Sequence, residues 1–260
     1  MASLIQVKKH APSGTIILNR PAKRNALSGE MIREILQAFG DFHLERSVRA
    51  VIVTGAGSAF CAGADLLELQ ESSRRNDAHR KWHEDAVQFK ELMECMLRFP
   101  KPIIAAVNGP AAGDGAGLIL ASDLVVACAG ATFGLPEARR GLVAGIVSPL
   151  LAFRVGGGSA ARLLLTAESV DAEEAHRLHV YHEMVRAEQV WARAHELAAL
   201  CARSAPESLQ LTKRLLNETI GEHLETTLAA GAAASATSRT TEAAIEGTSA
   251  FLEKRPPQWP

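Results

Sequence analysis

The chain has 260 residues, of which 47% are hydrophobic and 22% are charged, and its formal net charge is −1. This length suffices for one large domain or two modest ones with a full hydrophobic core. The balanced charge and an aromatic content of 5% give no electrostatic or stacking reason to expect nucleic acid or an anionic membrane as a partner.

The sequence also lacks the marks of a secreted, membrane-spanning or disulfide-linked protein. Its first residues contain no long apolar segment of the signal-peptide type. No run reaches the roughly 18 apolar residues that a membrane span needs, and the best candidate, GLVAGIVSPLLAF, is short and contains Ser148 and Pro149. The four cysteines lie far apart without a CxxC pair. We therefore expect a cytoplasmic protein with reduced thiols.

Strand-like and helix-like segments alternate through the first half of the chain. Ser28 is a good N-cap for the helix that follows two short strands. The polar stretch 70–85 is predicted to be a mobile surface segment, followed by a helix near 86–98. In order, the strands read LIQVKK, GTIILN, RAVIVTG, KPIIAAVNG and DLVVAC, and the helices read SGEMIREILQAF, the 86–98 segment and GAGLILAS. Continuous apolar strands between helices indicate an α/β core with a largely covered sheet.

After about residue 156 the pattern becomes helical. Five amphipathic helices are predicted, one of them with Pro206 in its first turn, and the tail RPPQWP cannot be helical. The histidines at 176, 179 and 182 lack an HExxH motif, so no metal site is predicted.

A glycine-rich stretch at 107–118, VNGPAAGDGAGL, contains a single acid, Asp114. It does not fit a dinucleotide-binding fingerprint, because Leu118 stands where the third glycine should be. The chain also has no GK[ST] of a P-loop and no G-x-S-x-G of a serine hydrolase.

Three segments together contain the groups of one candidate active site: 55–69, 107–118 and 131–142. The first two each read as a strand end, a glycine turn and a helix start, so each can offer a free backbone N–H, and two such donors on one carbonyl oxygen form an oxyanion hole. In the third, Glu137 follows Pro136 in an apolar context that raises a carboxyl pKa. The set suits proton transfer through an enolate next to a thioester. The alternative is that these are tight packing turns and that Glu137 is a surface acid.

The chain resembles the enoyl-CoA hydratase/isomerase (crotonase) superfamily over nearly its full length. The matching segments are LNRPAKRNALS, FCAGADL, KPIIAAVNGPAAGDGAGL, ASDLVVA, FGLPEARRGL, SVDAEEAHRL and TSAFLEKRPPQW. GLVAGIVSPLL and the segment that follows are similar to the methylglutaconyl-CoA hydratase-like branch. The resemblance implies an α/β spiral of ββα units with an acyl-CoA site over 1–200. It also implies a C-terminal helical trimerisation region over 201–260, with assembly as a homotrimer or a dimer of trimers.

The resemblance also implies site residues. Glu137 would be the acid/base, and Ala64 and Asp114 would supply the oxyanion N–H groups. Coenzyme A would be part of the substrate, with no separate cofactor and no metal. Substrate contacts are expected at Lys23, Arg24, Ala26, Ala62, Asp65, Leu66, Gly113, Pro136, Phe251 and Lys254.

Two positions depart from the family pattern. Typical hydratases hold a water between two glutamates, and the first of these falls on Gly117. Asp114 stands where members usually have glycine. Its carboxylate either points away, capping the following helix, or serves as the missing second acid.

Hydration of a 2-enoyl-CoA is therefore the first expectation. A Δ3–Δ2 isomerase that uses Glu137 alone is the second, because one base can remove and return a proton. A non-catalytic acyl-CoA-binding protein of the same fold is the third.

Overall fold

The computed structural model describes residues 3–219 and 223–259, with the side chains of 218 and 219 excepted. A six-stranded sheet is its first layer, with the order β1-β2-β3-β4-β6-β9. Its strands are β1 (Ile5–His10), β2 (Ser13–Leu18), β3 (Ala50–Gly55), β4 (Ile103–Val107), β6 (Leu124–Cys128) and β9 (Glu183–Val185). Only the β1–β2 pair is antiparallel among these neighbours.

A second sheet has three short strands and includes part of the glycine-rich stretch 107–118. It joins β5 (Ala111–Ala112), β7 (Thr132–Gly134) and β8 (Ser169–Asp171). Strands β5 and β7 are parallel, with Ala112 opposite Gly134. This pairing sets the glycine-rich stretch next to the segment that leads to Glu137.

Ten α-helices of the described residues cover and extend these sheets. They are α1 (Gly29–Leu44), α2 (Leu66–Ser73), α3 (Ala78–Arg98), α4 (Asp114–Leu120), α5 (Val147–Thr166), α6 (Ala172–Arg177), α7 (Val190–Cys201), α8 (Pro206–Arg214), α9 (Leu224–Ser238) and α10 (Glu242–Leu252). A short 3₁₀ turn, Ala138–Arg140, follows Glu137. Helix α5 changes direction at Gly156, where φ is +77°.

Helix α1 shows how the sequence pattern becomes packing. The Ser28 side chain accepts a hydrogen bond from the Met31 N–H, as expected of an N-cap. Ile32, Ile35 and Phe39 are buried on one face against the sheet. The predicted N-cap of this helix is therefore confirmed.

The prediction of a mobile surface segment at 70–85 is wrong. Those residues complete α2 and form the first turns of α3. Trp82 is buried and donates its indole N–H to the Ser72 hydroxyl at 2.9 Å. The prediction rested on the high polarity of the segment. The structure shows that one buried aromatic residue, Trp82, joins the two helices.

The described part of the chain contains no helix long and apolar enough to cross a membrane. It also brings no three His, Cys, Asp or Glu side chains into a metal-binding group. Two of the recurring histidines have structural contacts instead. His182 Nδ1 receives the Val125 N–H at 3.0 Å, and His176 Nδ1 lies 2.8 Å from the Tyr181 carbonyl.

Candidate active site

Two glycine turns meet at one end of the second sheet. Gly63 has φ +92° and Gly113 has φ +56°, conformations in which a β-carbon is strained. A Cβ added at Gly63 would stand 2.7 Å from the Ala112 carbonyl oxygen and 3.3 Å from the Asp114 nitrogen. Glycine therefore allows the two turns to touch, and it sets residues 64 and 114 side by side.

The backbone N–H groups around these turns are mostly occupied. Ala62 N–H donates to Arg24, Asp65 N–H to Leu27 and Gly113 N–H to Gly134. Within the described residues, the N–H groups of Ala64 and Asp114 donate to no protein group. Asp114 is the first residue of α4, where helical N–H groups have no partner in their own helix. Two unused donors thus lie next to each other, as the sequence predicts for an oxyanion hole.

The Glu137 side chain lies against the Gly113 turn. A Cβ on Gly113 would come within 2.7 Å of its Oε1. Its Oε2 is buried and has no hydrogen-bond partner among the described residues. Burial, with a smaller contribution from the negative charge of Asp114, raises the pKa of Glu137 to about 7. The carboxyl is therefore poised to exchange a proton near neutral pH, and the alternative of a surface acid is wrong.

Asp114 does not cap α4. The N-cap is Gly113, no side chain caps this helix, and the Asp114 carboxylate forms no hydrogen bond with the described residues. It lines the same cavity as Glu137, which we call the catalytic cavity. Burial raises its pKa to about 6, while the Arg239 charge opposes that rise. The expectation of a capping, outward-pointing Asp114 is therefore wrong.

The packing around Gly117 leaves no room for a glutamate at this position. A Cβ there would lie 2.9 Å from Phe89 Cζ and 3.2 Å from Val147 Cγ2, with Met93 Sδ at 3.5 Å. The space that a second glutamate would need is filled by apolar side chains. Asp114, one turn earlier on α4, is the acid that faces the catalytic cavity instead.

Comparison with known proteins decides the family. The model of the enoyl-CoA hydratase/isomerase family matches residues 10–260. The chain belongs to the enoyl-CoA hydratase/isomerase family. It is 41% identical to a provisionally named enoyl-CoA hydratase of Thermus thermophilus over 256 residues, 98% of this chain and 100% of that protein. It is 31% identical to a short-chain-enoyl-CoA hydratase of Clostridium acetobutylicum, covering 96% of this chain and 94% of that one.

Solved structures agree with the fold. EchA1_1 from Mycobacterium paratuberculosis superposes with a TM-score of 0.85 at 34% identity, covering 100% of this chain and 99% of that one. An enoyl-CoA hydratase from Mycobacterium avium gives a TM-score of 0.87 at 30% identity, covering 99% of both chains. The predicted crotonase-like α/β fold is confirmed.

An open cleft of about 460 Å³ adjoins the catalytic cavity of this family member. Most of the predicted substrate contacts line it: Lys23, Arg24, Ala26, Ala62, Asp65, Leu66 and Phe251. Gly113 lines the catalytic cavity. Pro136 and Lys254 line neither space, so for these two residues the structure gives no support to a substrate contact.

Three arginines at the site were not expected from the sequence. Arg140 lines both the cleft and the catalytic cavity, and its guanidinium lies 4.3 Å from the centre of the Phe251 ring. Arg20 pairs with Asp65 at 2.7 Å. Arg239 lies just after α9 and lines the catalytic cavity from the C-terminal helices. Arg20 and Arg140 lie in segments that match the family pattern, LNRPAKRNALS and FGLPEARRGL, whereas Arg239 has no sequence signal.

Proposed function

We propose that this protein adds water to the double bond of a 2-enoyl-CoA thioester. One observation carries the proposal: two acids share a cavity with two unused N–H donors. The buried Oε2 of Glu137 has no hydrogen-bond partner among the described residues, and the Asp114 carboxylate caps no helix there. A binding protein has no need to leave carboxyl groups unpaired, because burying them without partners costs stability. Unpaired acids of raised pKa in a cleft are typical of catalytic sites.

The thioester oxygen is the natural ligand of the two N–H groups. When a nucleophile adds to the β-carbon, negative charge collects on that oxygen as an enolate. Donors from Ala64 and Asp114 stabilise it there, and the loss of one such donor typically lowers the rate by about 10²–10³. Because both donors belong to the backbone, Asp114 keeps this role although its side chain differs from glycine.

The two carboxyl groups divide the proton transfers. Asp114, with the lower pKa of the pair, accepts a proton from water as the water oxygen bonds to the β-carbon. Glu137 in its protonated form gives its proton to the α-carbon. After the reaction Asp114 is protonated and Glu137 is ionised. Exchange of one proton between them or with solvent restores the starting protonation states. The proposed chemistry draws only on side chains and backbone groups of the chain, with coenzyme A entering as part of the substrate.

The cleft suits the coenzyme A end of that substrate. Lys23 and Arg24 are exposed at its wall and present positive charge to phosphates. Phe251 lines the same cleft from α10. A homotrimer or a dimer of trimers is the proposed assembly, as in the family that the sequence resembles.

Isomerisation is the second candidate, because Gly117 removes the usual first glutamate and Glu137 alone can shift a proton. Crotonyl-CoA and 3-hexenoyl-CoA separate the two activities. We expect loss of the 2-enoyl absorbance from crotonyl-CoA and a hydroxyacyl product. Hydration below background together with bond migration in 3-hexenoyl-CoA would replace hydratase by isomerase.

Glu137→Gln tests the residue assignment in the same assay. Removing one general acid/base is expected to lower turnover by about 10²–10⁴. Glu91→Gln, an exposed residue of α3, is the matched control and should retain full activity. A Glu137→Gln enzyme with wild-type turnover would refute the mechanism. Absence of both binding and turnover with every CoA ester would refute the enzyme proposal.

A further inference from the structure

Two acids and two arginines are the ionisable side chains that line the catalytic cavity in the described part of the chain. They come from four places in the fold: Asp114 begins α4, Glu137 precedes the 3₁₀ turn, Arg140 ends that turn, and Arg239 follows α9. The formal charge of the cavity is therefore zero when both acids are ionised, and it is +1 when one of them is protonated.

Each arginine acts on a different acid. Burial raises the pKa of Asp114, and the charge of Arg239 opposes that rise. Burial and the negative charge of Asp114 raise the pKa of Glu137, and the charge of Arg140 opposes it. Both arginines are half-buried, and among the described residues neither side chain forms a contact ion pair or donates a hydrogen bond. Each therefore favours the ionised form of its acid through space, without holding the carboxylate in a direct contact.

The C-terminal helices hold both arginines in place. Arg239 directly follows α9. The Arg140 guanidinium lies 4.3 Å from the centre of the Phe251 ring on α10. A Cβ on Gly247, in the same helix, would collide with the Arg140 backbone, so the helix and the 3₁₀ turn are in main-chain contact. The two cations are thus fixed by a part of the chain that is remote in sequence from Asp114.

Other ionisable groups near the cavity are neutral or already engaged. The Cys61 thiol faces Asp114 but is neutral, because burial raises its pKa to about 12. The acids that line the space beside Asp114 have partners of their own: Asp65 with Arg20 and Lys23, Asp85 with Lys81, and Glu68 with the Gly29 N–H. The two acids of the catalytic cavity therefore respond chiefly to each other and to one arginine each.

We propose that Arg239 and Arg140 are positioning residues that stabilise, in turn, the two ionised acids between which hydration alternates. This inference rests on the proposed function. Before the reaction Asp114 is ionised beside Arg239, and Glu137 is protonated. One O–H bond of water, the O–H bond of Glu137 and the carbon–carbon π bond break. A C–O bond at the β-carbon, a C–H bond at the α-carbon and an O–H bond on Asp114 form. The negative charge then lies on Glu137, beside Arg140.

The same arrangement explains how an aspartate can stand at an oxyanion donor. An ionised Asp114 by itself would repel the negative charge that collects on the thioester oxygen. With Glu137 protonated, the two arginines outweigh that one carboxylate, and the cavity has a formal charge of +1 before the enolate forms. The developing charge is therefore neutralised by groups that are already in place.

Exchange of each arginine for methionine tests the proposal, because methionine is long but uncharged. In Arg239→Met the pKa of Asp114 should rise. The acidic limb of kcat/KM for crotonyl-CoA then moves to higher pH by about 0.5–1 pH unit, less than for a contacting ion pair, and the profile narrows. In Arg140→Met the pKa of Glu137 should rise, so the alkaline limb moves up by a similar amount and the profile widens. Lysine at either position should restore part of the wild-type limb.

The matched control is Arg139→Met. Arg139 is exposed, donates to the Thr166 carbonyl at 3.0 Å and lines neither the catalytic cavity nor the cleft. This variant should keep both limbs. A merely structural loss would lower activity at every pH without moving one limb alone. Hydration with unmoved limbs in both Arg239→Met and Arg140→Met would overturn this inference alone.

Infrared titration of the carboxyl bands measures the same two pKa values without turnover. Asp114→Asn and Glu137→Gln identify which band belongs to which acid. We expect Arg239→Met to raise the Asp114 value and Arg140→Met to raise the Glu137 value. These shifts in a protein that hydrates no 2-enoyl-CoA, crotonyl-CoA included, would support the pairing of each arginine with its acid and overturn the proposed function.

Discussion

Two helices begin beside the reaction site with an acidic residue, and the two acids have opposite environments. Asp65 precedes α2 as its N-cap and accepts the Leu67 N–H at 3.1 Å. Asp114 is the first residue of α4, one position past a glycine N-cap, and it caps nothing. A shift of one residue relative to the cap decides whether the carboxylate is bound to its own helix or left free for a ligand.

The surroundings of the two acids also shift their pKa values in opposite directions. Burial raises the pKa of Asp65, but hydrogen bonds from Arg20 and Lys23 outweigh it and hold the pKa below its usual range. For Asp114 burial prevails and raises the pKa to about 6. Asp65 is therefore a permanently ionised structural anion, and Asp114 titrates near neutral pH. The two kinds of substitution below should separate these roles.

The largest effect is expected when the free acid is neutralised. Asp114→Asn keeps the backbone N–H and nearly the same volume but cannot accept the proton of water. We expect hydration of crotonyl-CoA to fall by about 10²–10⁴, with unfolding by urea unchanged or shifted to higher concentration. Asp114→Gly should lose the same activity, since it also retains only the N–H. Full hydration by either variant would show that Asp114 is not the second acid.

Neutralising the bound acid should act on stability instead. Asp65→Ala leaves Arg20 without its buried partner and α2 without its cap, and we expect a loss of about 2–4 kcal/mol in the free energy of unfolding. Asp171→Ala provides the matched control, because Asp171 caps α6 by accepting the Glu174 N–H at 2.8 Å but is exposed. It should cost about 0.5–2 kcal/mol. Equal losses in urea titrations of the two variants would contradict a structural role for the Arg20–Asp65 pair.

The sequence predicted more of the main chain than of the side-chain directions. Alternating apolar segments and glycine turns specify strands, helices and the two N–H donors, because those features depend on local backbone preferences. For the Asp114 carboxylate the sequence left a helix cap and a second acid as alternatives, because sequence spacing does not distinguish an N-cap from the next residue. Arg239 could not be found at all, since it reaches the site from helices more than 100 residues after Asp114 and no local pattern marks that contact.

The pH dependence of hydration sharpens the contrast between the two acids. Hydration in the proposed direction requires Asp114 ionised and Glu137 protonated. Activity should therefore rise as pH passes about 6, the pKa of Asp114, and fall as it passes about 7, the pKa of Glu137. A plot of kcat/KM against pH measures both limbs. Asp65→Asn should keep the shape of this profile, and a profile without an alkaline limb would contradict a protonated Glu137.

The smallest expected effect is a change in how stability depends on pH. Folding raises the pKa of Glu137 from 4.5 to about 7, so between these values the folded protein holds a proton that the unfolded chain has lost. Stability contributed by protonated Glu137 is complete below pH 4.5 and is lost as pH rises toward 7. The pH dependence contributed by Asp65 has the opposite sign, because its lowered pKa makes its contribution disappear only as pH falls below the ordinary aspartate range.

From pH 5 to 8, the free energy of unfolding of the wild-type protein should therefore fall by about 1–3 kcal/mol more than that of Glu137→Gln. Urea unfolding at both pH values measures this difference, with Glu91→Gln expected to follow the wild type. Equal slopes for wild type and Glu137→Gln would mean that the Glu137 carboxyl is hydrated in the folded protein, and that its proton is not held by burial.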